Sequence, residues 1–122
     1  LMPTLLDLLD VPVPPAARAQ MRGTSLVPVL KGEPAGRDIF SETDYREYTF
    51  KRSVVTPDGW KLIYTLESRT RELYHLPTDP GERTNRAAPD AARADALQEK
   101  LFAHFRGIGH DLTARRWEVG LN

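Results

Sequence analysis

Cysteine is absent from this chain of 122 residues. That excludes disulfides, a cysteine nucleophile and thiolate metal sites within it. Long apolar runs are missing too: no stretch approaches the roughly 18 residues that a membrane span needs. Neither charge sign is in excess, with 17 Lys+Arg against 17 Asp+Glu. A nucleic-acid module would normally carry a basic surplus, so nucleic acid is not an expected partner. Phosphate-cradling glycine loops of the P-loop or G-x-G-x-x-G kind do not occur, nor does a G-x-S-x-G elbow around any serine. Nucleophilic catalysis from Ser41 or Ser53 therefore has little to support it.

What remains is a composition suited to folding. Hydrophobic residues make up 40% and charged residues 28%, enough for a single modest core. The opening "LMPTLLDLLDVPVPP" sets Leu1, Leu5, Leu8 and Leu9 at helical spacing, with Met2 and Leu6 beside them. Pro3 fits a first turn and Pro12 ends the run. A short helix that is apolar around most of its girth requires cover on several sides. Residues 11 to 36 are rich in proline and glycine and read as loop, with "SLVPVLKG" as one docked helical turn.

From Arg37 the period becomes that of strands. "RDIFSET", "FKRSVVT", "WKLIYTL" and "ELYHL" are four short segments with tight links, the middle pair joined by Pro57-Asp58-Gly59. Trp60, Leu62, Tyr64 and Leu66 share one face, while Ile63 takes the other. Apolar residues on both faces predict a sheet covered on both sides, at least in part. "PDAARADALQEKLFAHFRGIG" is the longest helix, with Asp90 as its cap, Ala94, Leu97, Leu101, Phe105 and Ile108 as its stripe, and Gly107 and Gly109 at its end. The fold expected is α+β: a small four-stranded antiparallel sheet with a packed C-terminal helix, preceded by an apolar N-terminal helix and a Pro/Gly-rich loop. The strands fall at about 37–76, the helix at about 90–106 and a tail at 107–122.

Candidate chemistry is sparse. His75, His104 and His110 lack metal-ligand spacing, and packed or surface roles suit them better. Glu42 and Asp44 flank Thr43, and read either as an acid–base pair or cation site, or as a solvated strand end. Arg46, Lys51, Arg52 and Lys61 lie on or near strands. They could hold a sulfate or phosphate, or form an ordinary charged sheet surface. Thr78-Asp79-Pro80-Gly81 reads as a chain reversal, with Asp79 and Asn85 bonding nearby backbone.

Five blocks in order, "LMPTLLDLLDVPVP", "RGTSLVPVLKG", "IFSE", "RSVVTPDGWKLIY" and "ELYHLPTDPGERTN", resemble the C-terminal portion of the sulfatase family, over roughly residues 1 to 105. His75 stands where that family usually has Asp. The resemblance implies that residues 1–36 are the last helix and linker of a missing large α/β domain, and that 37–122 are the small C-terminal subdomain. It places the catalytic centre elsewhere, in a Cys-x-Pro-x-Arg or Ser-x-Pro-x-Arg motif whose first residue becomes formylglycine, with Asp and Asn ligands for calcium. No cofactor is then expected in this chain, and the isolated 122 residues are expected to be inactive. The partner implied is the N-terminal catalytic domain of the same enzyme. The stretch "TDYREYTF" would lie at the substrate rim, with Tyr45, Arg46 and Tyr48 as contacts and Arg52 and Lys61 as further candidates. Two other readings stand beside this one. The first is the same subdomain in a phosphonate monoester hydrolase or a related enzyme of the alkaline-phosphatase superfamily. The second is a stand-alone, non-catalytic interaction module that self-associates through its exposed apolar helix.

Overall fold

The computed structural model describes residues 1–34, 36–45 and 49–113. The chain forms two compact units, Leu1–Gly36 and Arg37–Asn122.

The first unit holds three short helices, α1 (Met2–Leu8), α2 (Pro15–Ala19) and α3 (Val27–Leu30). Pro3 sits in the first turn of α1, where its missing N–H costs nothing. The helix stops before Pro12 is reached: Asp10 turns left-handed, at φ 51°, and Val11 N–H reverts to the Leu6 carbonyl at 2.9 Å. α2 corrects the expectation of a plain loop, because Pro15 opens a turn of Ala16, Ala17 and Ala19 instead of breaking one. Thr4 is buried, and its hydroxyl accepts the Leu26 N–H at 3.0 Å, tying α1 to the turn before α3. The apolar girth of α1 stays largely open, with Leu1 86% and Leu9 71% exposed.

The second unit is an antiparallel meander, β1 (Ile39–Tyr45), β2 (Thr49–Val55), β3 (Trp60–Thr65) and β4 (Thr70–His75), in the order β1-β2-β3-β4, followed by α4 (Ala91–Gly107). The expected α+β class and strand number hold. β1 and β2 extend further than the sequence implies: Asp44 pairs with Phe50 and Tyr45 with Thr49. Ladder bonds override the low strand preference of Asp44. At the β2–β3 turn, Gly59 lies at φ +82°, and a Cβ there would stand 2.5 Å from Pro77 Cδ. Only glycine satisfies both that backbone and that approach.

The core forms where Val54, Leu62, Tyr64 and Leu73 meet Ala94, Leu97, Leu101 and Phe105 of α4, with Trp60, Leu66 and Ile108 at the margin. Leu62, Leu73, Leu101 and Val54 are sealed from solvent, so apolar burial here is the main stabilising term. The opposite face carries Ile39, Val55 and Ile63, and Ile39 is more than half exposed.

The stretch after β4 closes the sheet's edge. Asp79 accepts the Arg83 and Thr84 N–H groups, at 2.9 Å each for its Oδ2, and these two bonds hold its carboxyl below the ordinary range. Asn85 Oδ1 accepts both Leu73 N–H at 3.0 Å and Ala87 N–H at 2.9 Å, while Arg86 N–H donates to the Leu73 carbonyl at 2.8 Å. Residues 85 and 86 thus stand in for a fifth strand at Leu73. Asp90 precedes α4 but does not cap it through its side chain; its carboxylate instead takes the Arg86 Nε at 2.6 Å. Gly107 is still helical, and Gly109, at φ +88°, makes the exit.

Candidate functional site

The candidate rim residues are set by the strand alternation. Tyr45 ends β1 on the face away from α4 and is 57% exposed. Arg46 and Tyr48 lie outside the described residues. Lys61 shares the face of Tyr45, but its register partner is Val55, whereas that of Tyr45 is Thr49. Six strand steps of about 3.3 Å put them about 20 Å apart. Lys61 Nζ is held between both oxygens of Glu82, at 2.8 and 3.0 Å. Lys51, on the same face, reaches Glu72 at 3.8 Å.

Arg52 points the other way. It faces α4, is 2% exposed, and its guanidinium lies 5.5 Å from the Phe105 ring centroid. Its Nη1 donates to Asp44 Oδ1 at 2.7 Å and to the Lys51 carbonyl at 3.0 Å, with the Thr43 carbonyl at 3.5 Å. Glu42 Oε2 stands 3.5 Å from Nε, which is buried with no hydrogen-bond partner among the described residues. Glu42 and Asp44, open in the sequence to an acid–base or cation role, both flank this arginine. The described candidates Tyr45, Arg52 and Lys61 therefore do not converge on one point.

The histidines are used in packing. His104 stacks on Phe40 with ring centroids 3.7 Å apart, and His75 packs on Trp60 at 4.6 Å while its Nδ1 meets the Thr78 hydroxyl at 2.9 Å. A second cluster went unread in the sequence. Arg93 lies 4.6 Å and Arg86 5.5 Å from the Trp60 ring centroid, and Arg93 also reaches Asp58 at 3.4 Å. The Thr56 hydroxyl on Asp58 is the main cause that holds its carboxyl below the usual range. On the far face, burial and the Glu72 carboxylate push the Tyr74 phenol up to about 12. Among the described residues there is no group of three or more His, Asp or Glu arranged to hold a metal. No described helix is long and apolar enough to cross a membrane.

Comparison with known proteins supplies what this geometry does not. A Delta 4,5-hexuronate-2-O-sulfatase of Bacteroides thetaiotaomicron is 33% identical over 120 residues, spanning 94% of this chain. The chain is homologous to sulfatases. It spans only 23% of that enzyme's length, a share consistent with a C-terminal portion. The solved structure of a 2-O GAG sulfatase is 35% identical, with a TM-score of 0.66, across 86% of this chain and 23% of its own. A protein solved in complex with its substrate, D-glucosamine-2-N,6-O-disulfate, is 27% identical, with a TM-score of 0.66, across 85% of this chain and 22% of its own. No family model matches the chain. In each comparison most of this chain matches less than a quarter of a longer protein.

Proposed function

We propose that this chain is the C-terminal part of a sulfatase acting on a sulfated sugar, and that the catalytic centre lies in the remainder of the enzyme. The observation that carries this reading is a match along 94% of the chain to only 23% of a sulfatase. The sugar specificity rests on the relatives, whose names refer to sulfated hexuronate, glycosaminoglycan and glucosamine.

Calcium and formylglycine belong to that remainder. The described residues do not fit either group. The chain has no cysteine and no Ser-x-Pro-x-Arg run to mature, and among its described residues no three His, Asp or Glu are grouped so as to hold a metal. Residues 1–36 would be the last helix and linker of the large domain, whose apolar surface would cover the open leucines of α1. The small subdomain would contribute Tyr45, and beyond the described residues Arg46 and Tyr48, to the rim of the pocket. An aromatic ring and a guanidinium there would suit the apolar face and the sulfate of a sugar. Lys61, already paired with Glu82, would play a lesser part.

The test is a paired assay on sulfated sugars and an aryl sulfate, with this chain alone and with the full-length enzyme. The full-length protein turns over a sulfate ester and the chain alone does not. Calcium-dependent turnover by the pure chain, or hydrolysis of phosphonate esters in preference to sulfates by the full-length protein, would overturn the reading.

A further inference from the structure

We infer that Arg52 is a positioning residue: its buried guanidinium locks the end of the β1–β2 hairpin, where Tyr45 emerges, against α4, and does not itself meet substrate. The inference deepens the proposed function and rests on its placing of this hairpin end at the substrate rim.

Arg52 falls on the core side of β2 by plain alternation, between Phe50 and Val54. Its register partners are Glu42 on β1 and Tyr64 on β3. Within reach of one nitrogen are the Asp44 carboxylate and the carbonyls of Thr43 and Lys51, a directly opposed pair of the ladder. The guanidinium therefore grips both strands one residue from Tyr45. Below it lies Phe105, itself 2% exposed and part of the core. A planar guanidinium can lie over a ring while its edge donates several hydrogen bonds in a fixed fork; a lysine ammonium is a compact point charge without that fork.

The same geometry argues against a direct role in holding a sulfate. The solvent-facing members of the cluster are acids: the Glu42 and Asp44 side chains are 54% and 36% exposed, against 2% for Arg52. An approaching anion would meet these two carboxylates before it met the guanidinium. A sulfate would have to displace Asp44 to reach a group that is almost sealed. A lock accounts for the Asp44, Lys51 and Phe105 contacts without calling on a ligand.

Amide hydrogen exchange, resolved residue by residue, tests the lock in this protein and in its Arg52→Lys variant. The expected result is exchange at Thr43, Tyr45, Thr49 and Lys51 at least about tenfold faster, with Leu62 and Leu73 within about threefold of the parent protein. Equal acceleration at all of these amides would make Arg52 a general stabiliser and overturn the inference, as would an unchanged hairpin. Should Arg52→Lys fail to fold, Asp44→Asn leaves the guanidinium in place and weakens its grip. Loosening of the same four amides is then expected, and no change refutes the lock.

Steady-state kinetics of Arg52→Lys in the full-length enzyme supply the second readout. KM for a sulfated sugar rises several-fold while kcat stays within about twofold. A fall in kcat at constant KM would place Arg52 in the chemistry and defeat the inference. A loosened hairpin with unchanged KM upholds the lock and instead removes the hairpin from the rim.

Discussion

Asn85→Ala isolates the contribution of a single carbonyl oxygen to the sheet. Asn85 Oδ1 accepts two N–H groups, from Leu73 at 3.0 Å and Ala87 at 2.9 Å. Both partners are donors, which fixes the orientation of the side-chain amide without ambiguity. Leu73 is sealed from solvent and Ala87 nearly so, at 0% and 9% exposure. Each lost bond costs about 1 kcal/mol, so the pair is worth about 2 kcal/mol. That corresponds to a rise of about thirtyfold in the unfolding constant. Asn85→Asp keeps an acceptor for both donors and should fall within about 0.5 kcal/mol of the parent protein. Urea denaturation followed by far-ultraviolet circular dichroism gives both values, and exchange at the Leu73 amide locates the effect. If Asn85→Ala costs less than about 0.5 kcal/mol, or if the Asp and Ala variants are equally unstable, the edge-closing account of this residue is wrong.

Further expectations concern other parts of the second unit. Gly59→Ala combines a left-handed backbone with a Cβ at 2.5 Å from Pro77 Cδ, and should lose about 2–4 kcal/mol in the same assay. Leu62→Ala, at the centre of the sheet–helix core with 0% exposure, should lose about 2–5 kcal/mol and lower the thermal midpoint accordingly. The Tyr74 phenol, raised to about 12, should ionise well above the ordinary tyrosine range in an ultraviolet difference titration. Its folded pKa exceeds its unfolded value, so its contribution to stability is complete below the unfolded pKa of about 10 and is lost as pH rises towards 12. Asp79, whose carboxyl is held low by the Thr84 and Arg83 N–H groups, should titrate below the ordinary aspartate range when followed by carboxyl carbon resonance. Its contribution is present above the unfolded pKa and disappears as pH falls through the folded one.

Much of the second unit is legible in the sequence because two periods are written plainly there. The alternation of Trp60, Leu62 and Tyr64 and the helical stripe of Ala94, Leu97, Leu101 and Phe105 meet as the core. The turn at Gly59 and the reversal at Asp79 are equally readable, because each depends on local backbone chemistry. Other features depend on long-range contacts. Asp44 becomes strand because Phe50 and Arg52 lie across from it, and Pro15 opens α2 where a run of prolines reads as loop. Arg52 looks like surface charge until the alternation Phe50, Arg52, Val54 is followed onto the α4 face. That alternation was the signal that could have found it. Whether Tyr45 and Lys61 converge is a matter of register, and register fixes their separation at six strand steps.

Reading the gene upstream of Leu1 and weighing the native product by intact-protein mass spectrometry tests whether these residues are the C-terminal part of a sulfatase. The expected result is a longer product whose upstream sequence contains Cys-x-Pro-x-Arg or Ser-x-Pro-x-Arg together with acidic metal ligands. A native product that begins near Leu1, or a long upstream region with neither motif, would contradict it.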